Sequence, residues 1–128
     1  MIYLDTSVAL AHLLAEDRRP PSDLWAEELV SSRLLEYELW ARLNAQDLDR
    51  SHGDLARLLL ARLAWLELRP TVLERALHPF PVPVRTLDAL HLASVSFLRE
   101  HGKDVTLATY DERMAQAARA MGIPLWAF

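Results

Sequence analysis

Cysteine is absent from this sequence, and lysine and glycine are scarce: the 128 residues include three glycines and a single lysine, Lys103. Without cysteine there can be no disulfide frame, thiol nucleophile or thiolate zinc site. No apolar run approaches the ~20 residues that a membrane-spanning helix needs, and no basic segment precedes an apolar one at the start of the chain. We therefore expect no signal peptide, no membrane segment and a cytoplasmic location.

An excess of positive charge is also missing, because 18 acidic residues outnumber 14 basic ones and the formal net charge is −4. Composition alone therefore does not predict a basic surface that binds nucleic acid. If four of the acids bind metal ions, however, the remaining charges balance, and the ions supply the positive charge that a phosphate needs. The abundant arginines suit bidentate phosphate contacts, but they can equally reflect codon bias. The charge balance leaves the partner undecided.

Short apolar runs alternate with longer helical patterns along the chain. This alternation predicts βαβ units and a parallel sheet covered on both faces, in a single α/β domain that spans residues 1–128. The predicted strands are residues 1–4, 28–31, 64–69 and 105–108, with 123–128 as a possible last strand. The predicted helices are residues 8–15, a short one from Ser22, 33–45, 55–63, a short one from Thr71, 86–101 and 113–121.

Hydroxyl side chains precede several of these predicted helices and are typical of helix N-caps. Ser51 and Asp54 resemble a capping box before the helix of residues 55–63. Thr86 is predicted to cap the long helix of residues 86–101, and Thr109 the helix of residues 113–121.

Four acidic residues, Asp5, Glu38, Asp88 and Asp111, are the candidate functional residues. Ligands of open parallel sheets bind beyond the carboxyl ends of the strands, where Asp5 directly follows the first strand. Asp88 and Asp111 lie in first helical turns, and Glu38 lies beside the apolar stripe of its helix. Each has a structural alternative: a helix cap for Asp5, the helix dipole for Asp88 and Asp111, and an ion pair with Arg42 for Glu38.

Together these acids indicate a site for a hard divalent cation. Two unit charges ~4 Å apart repel by about 4 kcal/mol at an effective dielectric near 20, so a cluster of carboxylates needs a cation. Mg²⁺ and Mn²⁺ prefer oxygen ligands and retain waters that can attack a phosphate. The pattern therefore predicts metal-assisted cleavage of a phosphodiester.

Two segments carry a resemblance to a known family. The sequence Tyr3-Leu4-Asp5-Thr6-Ser7 resembles the opening motif of PIN domains, and residues 85–93, Arg-Thr-Leu-Asp-Ala-Leu-His-Leu-Ala, closely resemble the long-helix motif of their VapC-like toxin branch. Glu38 followed by Arg42, and Thr109-Tyr110-Asp111 near the end, complete the pattern in the expected order. The resemblance spans essentially the whole chain.

This resemblance implies a three-layer α/β/α fold with a central parallel sheet of four to five short strands, and a Mg²⁺- or Mn²⁺-dependent endoribonuclease. It also implies the toxin of a type II toxin–antitoxin system, with an RNA substrate, a cognate antitoxin protein and a homodimeric state. The implied catalytic and metal-binding acids are Asp5, Glu38, Asp88 and Asp111. Thr6 and Thr109 are implied as hydroxyls that orient the ligands or water.

Three further residues near these motifs have two interpretations each. His91, three residues after Asp88, could be a ligand or base, but we favour a packed histidine in the core or behind the ligands. Arg42 could bind phosphate, but we favour a structural ion pair. Arg85 is left open between RNA phosphate and the acidic cluster.

Other classes of protein fit the sequence less well. A phosphatase with Asp5 as nucleophile needs a second aspartate where Ser7 stands, and a receiver domain needs a lysine after a late strand, whereas Lys103 precedes it. A PIN nuclease of RNA maturation and a non-catalytic PIN-like interaction module remain as alternatives.

Overall fold

Four short parallel strands form the centre of the structure, a computed structural model that describes residues Met1 to Phe128. The strands are β1 (Ile2–Leu4), β2 (Leu29–Ser32), β3 (Ala64–Leu66) and β4 (Thr106–Ala108). Their order across the sheet is β3-β2-β1-β4, and every neighbouring pair is parallel. The predicted α/β domain with a parallel sheet is therefore confirmed.

Six α-helices and one 3-10 helix connect these strands. The α-helices are α1 (Thr6–Leu13), α2 (Arg33–Ala45), α3 (Asp49–Leu60), α4 (Pro70–Leu77), α5 (Thr86–Glu100) and α6 (Glu112–Ala120), and the 3-10 helix is Ser22–Ala26. None of them combines the length and the apolar character that crossing a membrane would require.

The helices lie on both faces of the sheet, which gives the three layers of an α/β/α fold. Successive strand residues point to opposite faces, so Ile2 and Leu4 pack into one hydrophobic cluster with residues of α1, α2 and α3. Tyr3 points the other way and packs with residues of α5 and α6. The helix α4 packs along α5 on that second side.

The predicted last strand, residues 123–128, is wrong as a strand. This segment forms a single bridge to β4, between Leu107 and Leu125. The Leu107 N–H donates to the Pro124 carbonyl at 2.8 Å, and the Trp126 N–H donates to the Leu107 carbonyl at 2.8 Å. Pro124 has no N–H of its own, which limits the ladder that this segment can extend.

Helix α2 has the predicted bounds, whereas α3 begins six residues earlier than predicted. The Ser32 hydroxyl accepts a hydrogen bond from the Leu34 N–H at 3.1 Å and caps α2. After α2, Asp47 adopts a left-handed conformation (φ 55°), which reverses the chain and lets α3 start at Asp49. The turn is thus completed before the residues that were predicted to cap α3.

Three predicted helix caps are wrong. Ser51 lies inside α3, and its hydroxyl donates to the Leu48 carbonyl at 3.3 Å. Thr86 is the first residue of α5, and the residue before it makes no side-chain cap. Asp111, not Thr109, caps α6, because its carboxylate lies closer to the free N–H groups of the first turn.

We predict that replacing Leu39 by alanine lowers the free energy of unfolding by about 2–5 kcal/mol, as expected for a buried leucine. Leu39 is fully buried in α2, whereas Leu77 of α4 is 84% exposed and provides the matched control. Leu77→Ala should change the stability by less than about 0.5 kcal/mol. Urea denaturation of both variants measures the difference, and equal losses would contradict this placement of the core.

Candidate metal centre

The pairing of β1 with β4 places the first two polar residues of the site side by side. Leu4 is in register with Ala108, and the Asp5 N–H donates to the Ala108 carbonyl at 3.0 Å. The residues that follow the two strands, Asp5 and Thr109, therefore lie at the same carboxyl edge of the sheet. Parallel sheets bind their ligands at this edge.

Asp5 is buried, with 5% of its surface exposed, although its side chain carries a charge. Its Oδ2 accepts hydrogen bonds from the Ser7 hydroxyl at 2.7 Å and from the Thr109 hydroxyl at 2.8 Å. Asp5 occupies the N-cap position of α1, but its side chain makes no cap hydrogen bond. The helix-cap alternative for Asp5 is therefore wrong, and its carboxylate is held by two hydroxyls at the edge of the sheet.

Glu38 reaches the same edge from α2. Its Oε1 accepts a hydrogen bond from the Thr6 hydroxyl at 3.0 Å and lies 2.6 Å from His91 Nε2. Arg42 forms no ion pair with Glu38 and extends into solvent at the rim of the cavity. The ion pair predicted between Arg42 and Glu38 is wrong: Thr6 of α1 and His91 of α5 hold Oε1 of Glu38.

His91 is buried between Tyr3 and Glu38. Its Nδ1 lies 2.7 Å from the Tyr3 hydroxyl. Burial raises the pKa of the Tyr3 phenol far above its ordinary value, so the hydroxyl is protonated and able to donate a hydrogen bond. Because the Glu38 carboxylate beside Nε2 can only accept, we assign the tautomer in which Nδ1 accepts from Tyr3. Nε2 then carries the ring proton and donates to Glu38. The favoured interpretation of His91, a packed histidine behind the acids, is confirmed.

Asp88 and Asp111 share one arginine. Asp88 lies in the first turn of α5, where its Oδ2 accepts from Arg85 Nε at 3.2 Å. Arg85 Nη2 also donates to Asp111 Oδ2 at 2.8 Å. The other oxygen of Asp111 accepts from the Arg113 and Met114 N–H groups at 2.8 and 3.2 Å, and so it caps α6. The open question about Arg85 is settled in favour of an ion-pair partner.

The environment of Asp88 disfavours the charged form of its carboxyl group. Burial raises the pKa of the Asp88 carboxyl above its ordinary value, and the negative charge of Asp111 raises it further. Arg85 acts in the opposite direction but does not cancel the shift. The ionised form of Asp88 is therefore disfavoured, and a cation near it would stabilise that form.

All four predicted acids line one open cavity of about 1120 Å³, together with Thr6, Ser7 and the arginines Arg18, Arg42 and Arg85. The donor set consists of oxygens alone, which fits Mg²⁺ or Mn²⁺. No three acidic or histidine side chains lie close enough together to hold one ion. Glu38 is turned towards His91, and Asp88 and Asp111 are turned towards Arg85. The chemistry of the donors therefore fits a divalent cation, and binding it requires these side chains to change partners.

The two hydroxyls that the family resemblance implied contact the acids directly. Thr6 donates to Glu38 and Thr109 donates to Asp5. Ser7 was not among the site residues predicted from the sequence. Its hydroxyl donates to Asp5 and also accepts from the Tyr110 N–H at 3.0 Å. Its position two residues after Asp5, in the first turn of a helix, was the available signal.

The profile of the PIN domain family matches residues 2–120, and the chain therefore belongs to the PIN-domain family. Among its relatives is Ribonuclease VapC46 of Mycobacterium tuberculosis, which is 38% identical over 129 residues that cover 95% of this chain and 93% of the relative. Ribonuclease VapC47 of the same species is 31% identical over 95% of this chain and 93% of the relative. The VapC-like resemblance of the motifs is thereby confirmed.

A solved structure confirms the fold independently. The crystal structure of Mycobacterium tuberculosis VapC20, described as a toxin that cleaves the sarcin-ricin loop, superposes with a TM-score of 0.68. The match covers 91% of this chain and 95% of VapC20 at 22% sequence identity. The two proteins thus share the three-layer arrangement around a parallel sheet, and at 22% identity this comparison shows the fold alone.

We predict that Arg85→Gln lowers the melting temperature in EDTA and enlarges the increase that Mn²⁺ produces. Removing the guanidinium leaves Asp88 and Asp111 to repel each other, and an ion can then bind without displacing an arginine. Thermal denaturation with and without Mn²⁺ measures both effects. The control is Arg57→Gln, which removes an exposed ion pair with Asp54 on α3. A Mn²⁺-induced increase no larger than in the wild type would contradict this role of Arg85.

Proposed function

We propose that this protein is a Mg²⁺- or Mn²⁺-dependent endoribonuclease and the toxin of a type II toxin–antitoxin pair. One observation carries the proposal: four carboxylates from separate parts of the chain line one cavity, and two of them compete for a single arginine. Such an excess of buried and half-buried carboxylates is a cost to folding that a cation-dependent activity explains. The relatives named Ribonuclease VapC46 and VapC47 support RNA as the substrate.

Asp5, Glu38, Asp88 and Asp111 are the residues that would hold the cation. When bound, the ion lowers the pKa of an attacking water and neutralises charge on the scissile phosphate. The other residues of the site act on these acids. Thr109 and Ser7 fix one oxygen of Asp5 and leave the other, Oδ1, without a hydrogen bond within the protein.

Glu38 is oriented by a relay that begins in the core. Tyr3 donates to His91, and His91 donates to Glu38, so the carboxylate is tied to the centre of the sheet. Thr6 and His91 both contact Oε1, so they restrict where the carboxylate can move, and Oε2 is left without a hydrogen bond. Asp111 contributes less to the site, because one of its oxygens is committed to the cap of α6.

Exposed arginines at the rim provide the contacts to RNA phosphates. Arg18 and Arg42 both line the cavity, and neither takes part in an ion pair within the protein. Arg18 donates one of its N–H groups to the Tyr110 carbonyl, but both guanidinium groups keep further donors for phosphate oxygens. The cavity itself is lined by six acids against three arginines, so bound cations would have to supply further positive charge before RNA phosphates can approach the acids.

We predict that Asp5→Asn and Asp88→Asn each reduce RNA cleavage more than about 100-fold while leaving the protein folded, because each removes a charged ligand from the proposed cation site. The matched control is Asp54→Asn, since the Asp54 side chain is 98% exposed on α3. Cleavage of single-stranded RNA with Mg²⁺ or Mn²⁺, followed on denaturing gels, measures the effect, and circular dichroism reports folding.

Cleavage that survives both substitutions, or that persists undiminished in EDTA, would contradict the proposed mechanism. A wild-type protein that folds and binds Mn²⁺ but cleaves no RNA would favour the non-catalytic interaction module instead. Cleavage that the product of a neighbouring antitoxin-like reading frame leaves unchanged would favour a nuclease of RNA maturation over a toxin.

We also propose a homodimer and a cognate antitoxin as partners. Helices α2 and α3 expose large apolar side chains, with Tyr37 at 68%, Leu55 at 55% and Leu58 at 67%. Apolar side chains exposed on neighbouring helices are typical of surfaces that bind another protein. The exposure of these residues supports a protein partner without selecting between the two.

The dimer leads to a direct prediction: sedimentation at about 10 μM should give the mass of two chains, because a stable homodimer with a standard-sized interface stays associated at micromolar concentration. Leu58→Asp reports whether the surface on α3 is the dimer contact, with Asp54→Asn as the control that leaves the apolar surface intact. A monomer of the wild-type protein at this concentration would contradict the proposed dimer.

A further inference from the structure

A second groove continues the acidic cavity along the sheet edge. It has a volume of about 690 Å³ and lies between the loop after α1, helix α6 and the segment that follows Pro124. Arg18, Tyr110 and Asp111 line both the groove and the acidic cavity. A chain-like ligand bound at the carboxylates can therefore run directly into this groove.

An aromatic pair forms one wall of the groove. The rings of Tyr110 and Phe128 lie 4.3 Å apart with an angle of 33° between their planes. Phe128 is 50% exposed, so part of its ring faces solvent instead of the core. An exposed aromatic ring next to a second ring is the platform on which unpaired nucleobases stack, whatever their identity.

Two arginines, Arg18 and Arg19, also line the groove, and Arg18 lies against the aromatic pair. The guanidinium of Arg18 is 5.6 Å from the centre of the Tyr110 ring, and its Nη1 donates to the Tyr110 carbonyl at 3.2 Å. Arg19 is exposed, and neither Arg18 nor Arg19 forms an ion pair. The acids of this groove, by contrast, are already neutralised, since Asp111 pairs with Arg85 and Glu112 with Arg119. Among the side chains of the groove, the unpaired charge is therefore positive, unlike that of the acidic cavity.

We propose that this groove is a subsite for one nucleotide of single-stranded RNA next to the scissile phosphate. The base stacks on the exposed part of the Phe128 ring, which Tyr110 supports from behind, and Arg18 and Arg19 contact the adjoining phosphate. The proposal rests on the ribonuclease function proposed above. It selects RNA that is unpaired at this nucleotide, because a base inside a duplex has no free face for the aromatic pair. A stacking contact also tolerates any base, so the subsite selects strandedness and not sequence.

Fluorescence anisotropy tests the subsite by measuring the affinity of the full chain for a labelled single-stranded octanucleotide of RNA. The measurement uses the Asp5→Asn background with Mg²⁺, so that binding is followed without cleavage. Phe128→Ala should raise the Kd about ten-fold through the loss of one stacking contact, whereas Phe128→Trp should keep it within about two-fold. Leu77→Ala is the control for the loss of a large exposed apolar side chain, because Leu77 is 84% exposed on α4 and lines neither cavity.

Charge is tested in the same assay. Arg18→Gln should weaken binding and reduce its dependence on salt, while Arg50→Gln, an exposed arginine on α3 away from both cavities, should do neither. An unlabelled RNA duplex should compete about ten-fold less well than the single strand. Melting temperatures close to that of the parent protein confirm that each variant is folded.

The outcomes separate the subsite from the proposed nuclease function. If Phe128→Ala binds the single strand as tightly as its parent, or the duplex competes equally well, the subsite is overturned even where the wild-type protein cleaves RNA. If the predicted losses of affinity appear and the wild-type protein cleaves nothing, the subsite stands and the nuclease function fails. If none of the substitutions changes the affinity for RNA, the subsite is overturned. A protein segment then becomes the alternative occupant of the groove.

Discussion

The structure of the site depends on the parallel pairing of β1 with β4. Because Leu4 and Ala108 are in register, the two strands end at the same height, and Asp5 meets Thr109 although 104 positions separate them in the chain. The ends of β2 and β4 also determine where the helices that follow them begin. The location of Glu38 and Asp111 at this edge follows from where β2 and β4 end and their helices begin. A shift of one residue between β1 and β4 would reverse the side chains of one strand and separate the site.

Collecting acids at one edge works against folding, and the protein offsets the repulsion with several kinds of partner. Hydroxyls satisfy one oxygen of Asp5, the buried His91 holds Glu38, and Arg85 lies between Asp88 and Asp111. These partners are held to different degrees: the His91 side chain is buried in the core, whereas the Arg85 side chain is 60% exposed. Repulsion between clustered carboxylates lowers the stability of the fold, and a stability cost of this kind is typical of functional sites.

Much of this arrangement can be predicted from the sequence, and the reasons for the failures are physical. The strand and helix pattern places Asp5, Glu38, Asp88 and Asp111, since the ends of strands and the spacing of apolar residues determine where acids lie. The lack of an ion pair between Arg42 and Glu38 could not be predicted from their helix, because Thr6 of α1 and His91 of α5 are distant in sequence from Glu38 and hold its Oε1. The early start of α3 depends on the left-handed Asp47, a conformation that its sequence neighbours do not specify. Thr109 resembled a cap because a hydroxyl before a helix is typical of one; its contact with Asp5 across the sheet was implied by the family resemblance and not by the local sequence.

The central claim is that the acids at this edge hold a divalent cation, and a crystal grown or soaked with Mn²⁺ tests it most directly. The account predicts an anomalous peak within about 2.2 Å of oxygens from Asp5 and Asp88, the usual distance for a small divalent ion. It also predicts that Arg85 has moved away from Asp88. A crystal with no anomalous peak at these carboxylates, at a Mn²⁺ concentration that supports RNA cleavage in solution, would contradict the account.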